Sequence, residues 1–297
     1  MRTIILLLMV ILLFGNVEAQ ILPIPYNSKS YTPLVQARDD MLQRKLTQTI
    51  SKNPQWSRLI EQKRLCVGLV DISNPDLPRF ASINGDHMMY AASLPKIAIL
   101  LAVMDAIEAG ELKHTPKIDS LLHRMIRISC NASSTALIDK LGYDKIANVL
   151  QDERYRLYDE MQFGGGLWVG KRYAAGGPRN PEPIKGLSHA ATVTQVCRFY
   201  YMLAYGKLIS CDASEKMLEY LRDPRLHHKF VHSLNKLAPE AELYRKSGTW
   251  KNFHADSVMV IGNVWRSYIL VALINDPHGE QIMREMVTDV DYLLSNN

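Results

Sequence analysis

β-Patterned segments lie towards both ends of the 297-residue chain, and helical patterns fill the stretch between them. Near the first end, "RLCVGLVDI" (64–72) alternates and is partly β-branched. "RFASING" (79–85) follows across a turn containing Asn74, Pro75 and Pro78, which predicts a pair of strands. From Leu243 on, "LYRKSGTW", "DSVMVIGNV" and "SYILVALIND" read as three more strands, and "GEQIMREMVTDVDYLL" reads as a closing helix. From about 113 to 225 the signal is mainly helical: "HRMIRISCNASSTALIDKLG" is one segment, and "YDKIANVLQDE" is the next, after Gly142. "ATVTQVCRFYYMLAYGKLIS" is a third, with Thr192 or Thr194 as N-cap and Gly206 near its end. This order predicts one sheet assembled from both chain ends with a helical domain inserted, an α/β (α+β) architecture. The expected division is an α/β domain of residues 20–112 and 226–297 and an all-helical domain of residues 113–225.

Two further stretches complete the layout. Residues 34–52 carry apolar side chains at helical spacing, from Leu34 and Val35 to Leu46 and Ile50. "FGGGLWVGKRYAAGGPRNPEPIKG" is rich in Gly and Pro and reads as a long irregular loop; loops of that length in a compact domain are usually functional.

The composition, 47% hydrophobic and 22% charged, supplies ample material for a core. The net charge of +5 comes without a dense Lys/Arg run, so no nucleic-acid partner is expected. The first residues, "MRTIILLLMVILLFGNVEAQ", combine a basic start, an apolar run from Ile4 to Phe14 and small residues before a cut after Ala19. That is the pattern of a signal peptide (1–19), and it predicts an exported chain, periplasmic or secreted, beginning at Gln20 with no membrane attachment after cleavage. An exported chain can oxidise its thiols, but the spacing of Cys66, Cys130, Cys197 and Cys211 fixes no pairing. Disulfides and free thiols both remain open.

Chemistry concentrates at three places. Ser93-Leu94-Pro95-Lys96 opens the apolar helix "KIAILLAVMDAIEAG", which stops at Gly110, and its i, i+3 spacing puts the hydroxyl and the ammonium on one face. A desolvated lysine near a second cation has its pKa lowered and can take the proton of a serine nucleophile. Ser129-Cys130-Asn131 offers a hydroxyl to relay a proton and an amide to hold a substrate, although "SCNASS" is also rich in helix-capping residues. Lys246-Ser247-Gly248-Thr249 lies in a predicted strand, where Gly248 lets another backbone approach closely and Lys246 supplies charge for a carboxylate.

In this order the three elements resemble the S-x-x-K, S-D-N and K-T-G motifs of class A β-lactamases and penicillin-binding proteins. The resemblance runs from the strand at 64 to the final helix and includes "HAATVTQV", which is similar to the Thr-rich entry to the helix after that family's Ω loop. It implies a five-stranded antiparallel sheet with flanking helices, beside an all-helical domain, with the active site between them. It implies Ser93 as nucleophile, Lys96 as its activator, Ser129 as proton donor to the leaving nitrogen and Asn131 as a contact to the substrate amide. Lys246, Ser247 and Thr249 would serve the carboxylate side, with Gly248 giving access. The amides of Ser93 and Thr249 would form the oxyanion hole. The implied reaction is acylation of Ser93 by a β-lactam-type amide and then hydrolysis. The alternatives are a peptidoglycan D,D-peptidase or transpeptidase, a penicillin-binding sensor that does not turn over, and a hydrolase of an unrelated ester or amide. No cofactor is implied, and a monomer acting on a small β-lactam or a peptidoglycan peptide is expected.

The chain departs from the family pattern in four ways. Cys130 stands where Asp is usual, Ser247 stands for the Thr of the third motif, the segment between Ser93 and Ser129 is shortened, and no E-x-x-L-N occurs between Ser129 and Thr192. In class A enzymes the Glu of that segment activates the deacylating water. Glu182 in "RNPEPIKG" and His189 are the candidate replacements; each could equally be a structural loop residue. Trp168 and Tyr173 are candidate substrate contacts or loop anchors. "GGLWVGK" (165–171) has phosphate-loop spacing, but Arg172 stands where the Mg²⁺-binding hydroxyl belongs. His228 and His232 have metal-ligand spacing beside His227 without an evident third ligand, so no metal is expected.

Overall fold

The computed structural model describes residues 22–24, 31–263 and 265–296. The signal-like segment 1–19 lies outside the described residues, and no described helix is long and apolar enough to cross a membrane.

The chain opens with a 3₁₀ turn, Leu34–Gln36, and then helices α1 (Asp40–Ser51) and α2 (Pro54–Glu61). Strands β1 (Leu65–Asp71), β2 (Arg79–Ile83) and β3 (Met89–Tyr90) follow, then helices α3 (Lys96–Glu108), α4 (Pro116–Arg127), α5 (Asn131–Leu141) and α6 (Tyr143–Gln151). The Gly-rich region holds β4 (Tyr158–Asp159), α7 (Glu160–Phe163), β5 (Gly165–Gly166), β6 (Trp168–Val169) and β7 (His189–Ala191). Then come α8 (Val193–Ala204), α9 (Cys211–Leu221), α10 (Phe230–Leu237), β8 (Glu242–Trp250), β9 (Phe253–Ile261), β10 (Ser267–Asn275) and α11 (Gly279–Ser295).

The expected sheet is present: five antiparallel strands in the order β2-β1-β10-β9-β8, drawn from both ends of the chain. Leu65 pairs with Ile274 and Asp71 with Tyr268. Alternate residues of β10 feed two different cores: Leu270, Ala272 and Ile274 point into one, Ile269, Val271 and Leu273 into the other. Helices cover both faces, which is why the strands read as nearly unbroken apolar runs. On one face lie α1, α10 and α11, and on the other lies α8 against β1 and β10. Gly68 permits that approach, because a Cβ there would sit 2.6 Å from Cys197 Sγ.

The expected two-part division is crossed by two helices. Helix α3, placed by sequence with the sheet, packs against α4, α5, α6 and α9, and it is buried on every side from Lys96 to Ala106. Helix α8, placed with the helices, packs on the sheet. A helix that is apolar all round sits between layers.

Several boundaries depart from the sequence pattern. The single helix expected across 123–142 breaks: α4 ends at Arg127, Ser129 adopts φ 56°, and α5 begins at Asn131. The helix expected from Leu34 starts only at Asp40, where Asp39 Oδ1 accepts from the Leu42 amide at 2.6 Å. The strand expected to reach Gly85 stops at Ile83, because Asn84 turns to φ 51° and its side-chain amide donates to the Ile60 and Leu65 carbonyls. The Gly-rich stretch begins with two short strands, β5 paired with β4 and β6 with β7, and then runs irregularly from 170 to 188 apart from an isolated bridge between Lys171 and Arg179. Thr192 is the N-cap of α8, its hydroxyl accepting from the Gln195 amide at 3.2 Å. All four cysteines are free thiols, with Cys66 and Cys197 buried.

Candidate active site

Ser93 lies in the tight turn between β3 and α3. The Leu94 amide donates to Ala91 O at 3.0 Å, and Ala92 is held at φ 50°, so the chain reverses sharply into the helix. Tyr173 holds the turn from outside, its hydroxyl donating to Ala92 O at 3.3 Å. Ser93 is half-buried, and neither its hydroxyl nor its amide has a hydrogen-bond partner among the described residues. Both are free for a substrate.

One turn on, Lys96 is fully buried. Its Nζ donates to Ser129 O at 2.7 Å, Asn131 Oδ1 at 2.8 Å and Ser129 Oγ at 3.2 Å, and it lies 4.4 Å from the centre of the Tyr173 ring. All these partners are neutral. Burial therefore lowers the ammonium pKa to about 7, with the Cys130 thiol pulling it back up.

Lys246, on β8, is buried and reaches the same hydroxyl: its Nζ donates to Ser129 Oγ at 2.9 Å and to Ser247 O at 2.7 Å. Burial, then Lys96, then Arg245 hold its ammonium well below the usual lysine range. The Ser129 oxygen thus accepts from two ammonium groups, which leaves its own O–H to donate elsewhere. The break between α4 and α5 makes this possible, since a continuous helix would tie Ser129 into its ladder. Cys130 occupies the N-cap position of α5 without a side-chain cap, and its backbone carbonyl takes the Ser134 hydroxyl at 2.9 Å.

Gly248 closes the site. A Cβ there would lie 2.4 Å from Ala91 O, 2.5 Å from Ser93 N and 2.8 Å from Leu94 N, so β8 can lie against the Ser93 turn only with glycine at this place. Ser247 is buried beside it, and Thr249 is exposed at the open end of the strand.

Three supporting residues gave no signal in the sequence. Arg245 and Asp256 form a buried ion pair next to Lys246, with Nε–Oδ1 at 2.7 Å and Nη2–Oδ2 at 2.9 Å. Lys229, also buried, donates to Gly248 O at 2.5 Å, Thr249 Oγ1 at 2.9 Å and Ala255 O at 3.0 Å, and burial lowers its pKa to about 8. Arg245 precedes Lys246 on β8, whereas Asp256 and Lys229 meet the motif only through the pairing of β8 with β9 and the docking of the turn before α10.

The candidate deacylation bases separate. Glu182 is buried in its own loop, where its carboxylate accepts from the Tyr158 hydroxyl, the Ile184 amide at 2.8 Å and the Lys185 amide at 2.7 Å. It does not line the cavity bordered by Tyr173 and Asn131, which adjoins the Ser93 turn through Tyr173 without being lined by Ser93 itself. His189 does line it, packed against Tyr173 with ring centres 4.2 Å apart. Its Nε2 bonds to the Lys171 carbonyl at 3.0 Å and so must carry the proton, while the buried Nδ1 has no partner among the described residues. Burial lowers its pKa to about 4.

That cavity, of about 750 Å³, is bordered by Asn131, the Gly-rich loop, Tyr90, Trp250 and Phe253. Tyr173 lines it, whereas Trp168 is a loop anchor, buried with Nε1 donating to Asn180 O at 2.7 Å. The phosphate-loop spacing of 165–171 has no matching geometry: the Leu167 and Gly170 amides are spent on the Leu157 and Ser188 carbonyls. His228 Nδ1 faces Arg245 at 3.2 Å and His227 Nδ1 faces Asn235 at 2.7 Å, and no cluster of three metal-ligating side chains occurs among the described residues.

Comparison with solved structures finds the same fold in a β-lactamase from Sphaerobacter thermophilus DSM 20745 (17% identity, TM-score 0.64, covering 83% of this chain and 95% of that one). PBP-A is similar at 18% identity and TM-score 0.63, covering 88% and 98%. So is a point mutant of PBP-A, solved as an acyl-enzyme complex with penicillin G (20%, TM-score 0.64, covering 90% and 100%). No curated protein sequence matches the chain. The sequence profile described as "Beta-lactamase enzyme family" matches residues 55–120 and 113–293, nearly the whole described chain. With that match and this fold, the chain belongs to the β-lactamase enzyme family.

Proposed function

We propose that the protein is an exported serine hydrolase that forms an acyl-enzyme at Ser93, and that its substrate is a peptide amide of the D-alanyl-D-alanine type rather than a β-lactam turned over rapidly. The observation that carries this reading is the convergence of the Lys96 and Lys246 ammonium groups on the Ser129 hydroxyl beside the unpartnered Ser93. Lys96 in its neutral form accepts the Ser93 proton, and Ser93 Oγ attacks the amide carbon. The Ser93 and Thr249 amides receive the oxyanion, an interaction whose loss typically costs about 2.7–4 kcal/mol per donor. The proton then passes through Ser129 to the leaving nitrogen, the C–N bond breaks, and the ester on Ser93 remains. Export rests on the signal-like first 19 residues.

Deacylation separates the two substrate classes. A peptide's amine departs, and water can enter by the same face, returning its proton through Ser129 and Lys96. A β-lactam's leaving nitrogen stays tethered and keeps that face occupied, so rapid hydrolysis needs a base on the other face. Among the described residues no carboxylate lines the cavity there, Glu182 is committed to its loop, and His189 has only a buried, weakly basic Nδ1. The fold's likeness to PBP-A, one mutant of which is known as a penicillin G acyl-enzyme, supports the acylation step.

The test is intact mass against time after brief exposure to benzylpenicillin, with Ser93→Ala as control, together with release of D-alanine from a D-Ala-D-Ala peptide. A Ser93-dependent adduct lasting many minutes, with D-alanine release, is the expected result. An adduct that clears within seconds would make the protein a β-lactamase. A lasting adduct without peptide cleavage would make it a penicillin-binding sensor. No adduct at all would point to an unrelated ester or amide.

A further inference from the structure

The cavity that Tyr173 and Asn131 border, one contact removed from the Ser93 turn and from Lys96, carries charge that the reaction does not use. Lys171 and Arg179 face each other as partners of an antiparallel bridge, where like charges are mutually destabilising. Among the described residues neither side chain has an ion pair or hydrogen bond, whereas the neighbouring Arg172 is neutralised by Asp139 at 2.5 Å. Both border the cavity, which no described carboxylate lines, so the cavity wall offers nothing to offset them. The opposite wall is aromatic: Tyr90 and Phe253 meet edge to face with ring centres 5.4 Å apart, and Trp250 is 58% exposed. Lys246 and Ser247, which serve the leaving-group side, do not line this space, while Asn131 does.

We infer that this cavity receives the acyl side of the substrate, and that Lys171 and Arg179 together bind a carboxylate carried there. The substrate class is then an N-acyl amide with an acidic acyl portion, such as a peptide bearing a free carboxylate upstream of the cleaved bond, its apolar stem lying against Tyr90, Phe253 and Trp250. This rests on the acylation of Ser93 proposed above. A bound carboxylate relieves the repulsion across the bridge, and two cations set side by side match its two oxygens.

Three penicillins that share a phenyl side chain and differ only in its charge provide the test: the carboxybenzyl, benzyl and aminobenzyl forms. The second-order rate of Ser93 acylation is measured for each by stopped mass analysis, at low and high salt. The expected order is carboxybenzyl over benzyl over aminobenzyl, with at least about tenfold between the ends and a smaller spread at high salt. Lys171→Glu/Arg179→Glu should invert the order, a gain for the aminobenzyl form that misfolding cannot mimic. Equal rates for all three, or an order unchanged in the double variant, would overturn the carboxylate site while leaving Ser93 acylation intact. Absence of any adduct would overturn both.

Discussion

The Lys96 ammonium sits 4.4 Å from the centre of the Tyr173 ring, in a position where no carboxylate faces it among the described residues. A ring face stabilises a cation far less than a carboxylate does in a desolvated site, so burial prevails and the pKa falls to about 7. Acylation needs the neutral amine. The rate of Ser93 labelling by benzylpenicillin should therefore rise with pH around a midpoint near 7, and a profile flat from pH 5 to 9 would remove Lys96 as the base. The same shift has a stability sign. Between about pH 7 and the unfolded-state lysine pKa of about 10.4, the unfolded chain binds more protons. Lys96 therefore contributes a gain in folding stability as pH rises through that window.

Glu182 should behave as a brace. Glu182→Gln keeps the size but weakens charge-assisted bonds from Tyr158 and two amides, each worth about 1.5–3 kcal/mol to a charged acceptor. A loss of about 2 kcal/mol in thermal or urea unfolding is expected, with the lifetime of the penicillin adduct changed less than about twofold. An adduct lifetime lengthened 10²-fold would restore Glu182 as a general base.

Gly248→Ala should separate folding from catalysis. The added methyl meets backbone atoms of Ala91, Ser93 and Leu94, none of which can rotate away. The strand end must shift, and a misplacement of about 1 Å can cost 10²-fold in rate. Labelling at Ser93 should fall by about that factor while far-ultraviolet circular dichroism stays native-like; a rate within threefold of wild type would contradict the close approach.

The Arg245–Asp256 pair is buried at both ends. Asp256→Asn strands the guanidinium, and losing one partner of such a pair costs about 3–5 kcal/mol. Because Asp256 also pulls the Lys246 pKa upward, the variant should lower that pKa further. The measurement is a urea melt, and a change under about 1 kcal/mol would show that the pair is not holding β8 against β9.

Local chemistry was legible in the sequence, and long-range support was not. Ser93 and Lys96 are related by one helical turn, and Gly248 by its place in a strand, and the order of these short elements resembles a known family's motifs, so local sequence brought them into view. The five strands were legible because each carries five or more apolar or alternating residues. The strands of the Gly-rich region are two or three residues long, too short for any period to appear. The break at Ser129 was signalled only by the capping residues of "SCNASS", because "HRMIRISCNASS" keeps helical periodicity through it. The two lysines that meet Ser129 at the break lie 33 and 117 residues away. Lys229 and Asp256 reach the site by the same kind of distant pairing.

The strand order has a consequence for synthesis. Every side chain that handles a proton has been made by residue 246, and the glycine that admits the substrate by 248. Yet β1 cannot enter the middle of its sheet until β10, residues 267–275, lies alongside it. Contacts separated by about 200 residues are slow to form. A nascent or truncated chain ending before β10 would carry the complete set of reacting groups and no working centre, so the serine stays unreactive until β10 has joined the sheet.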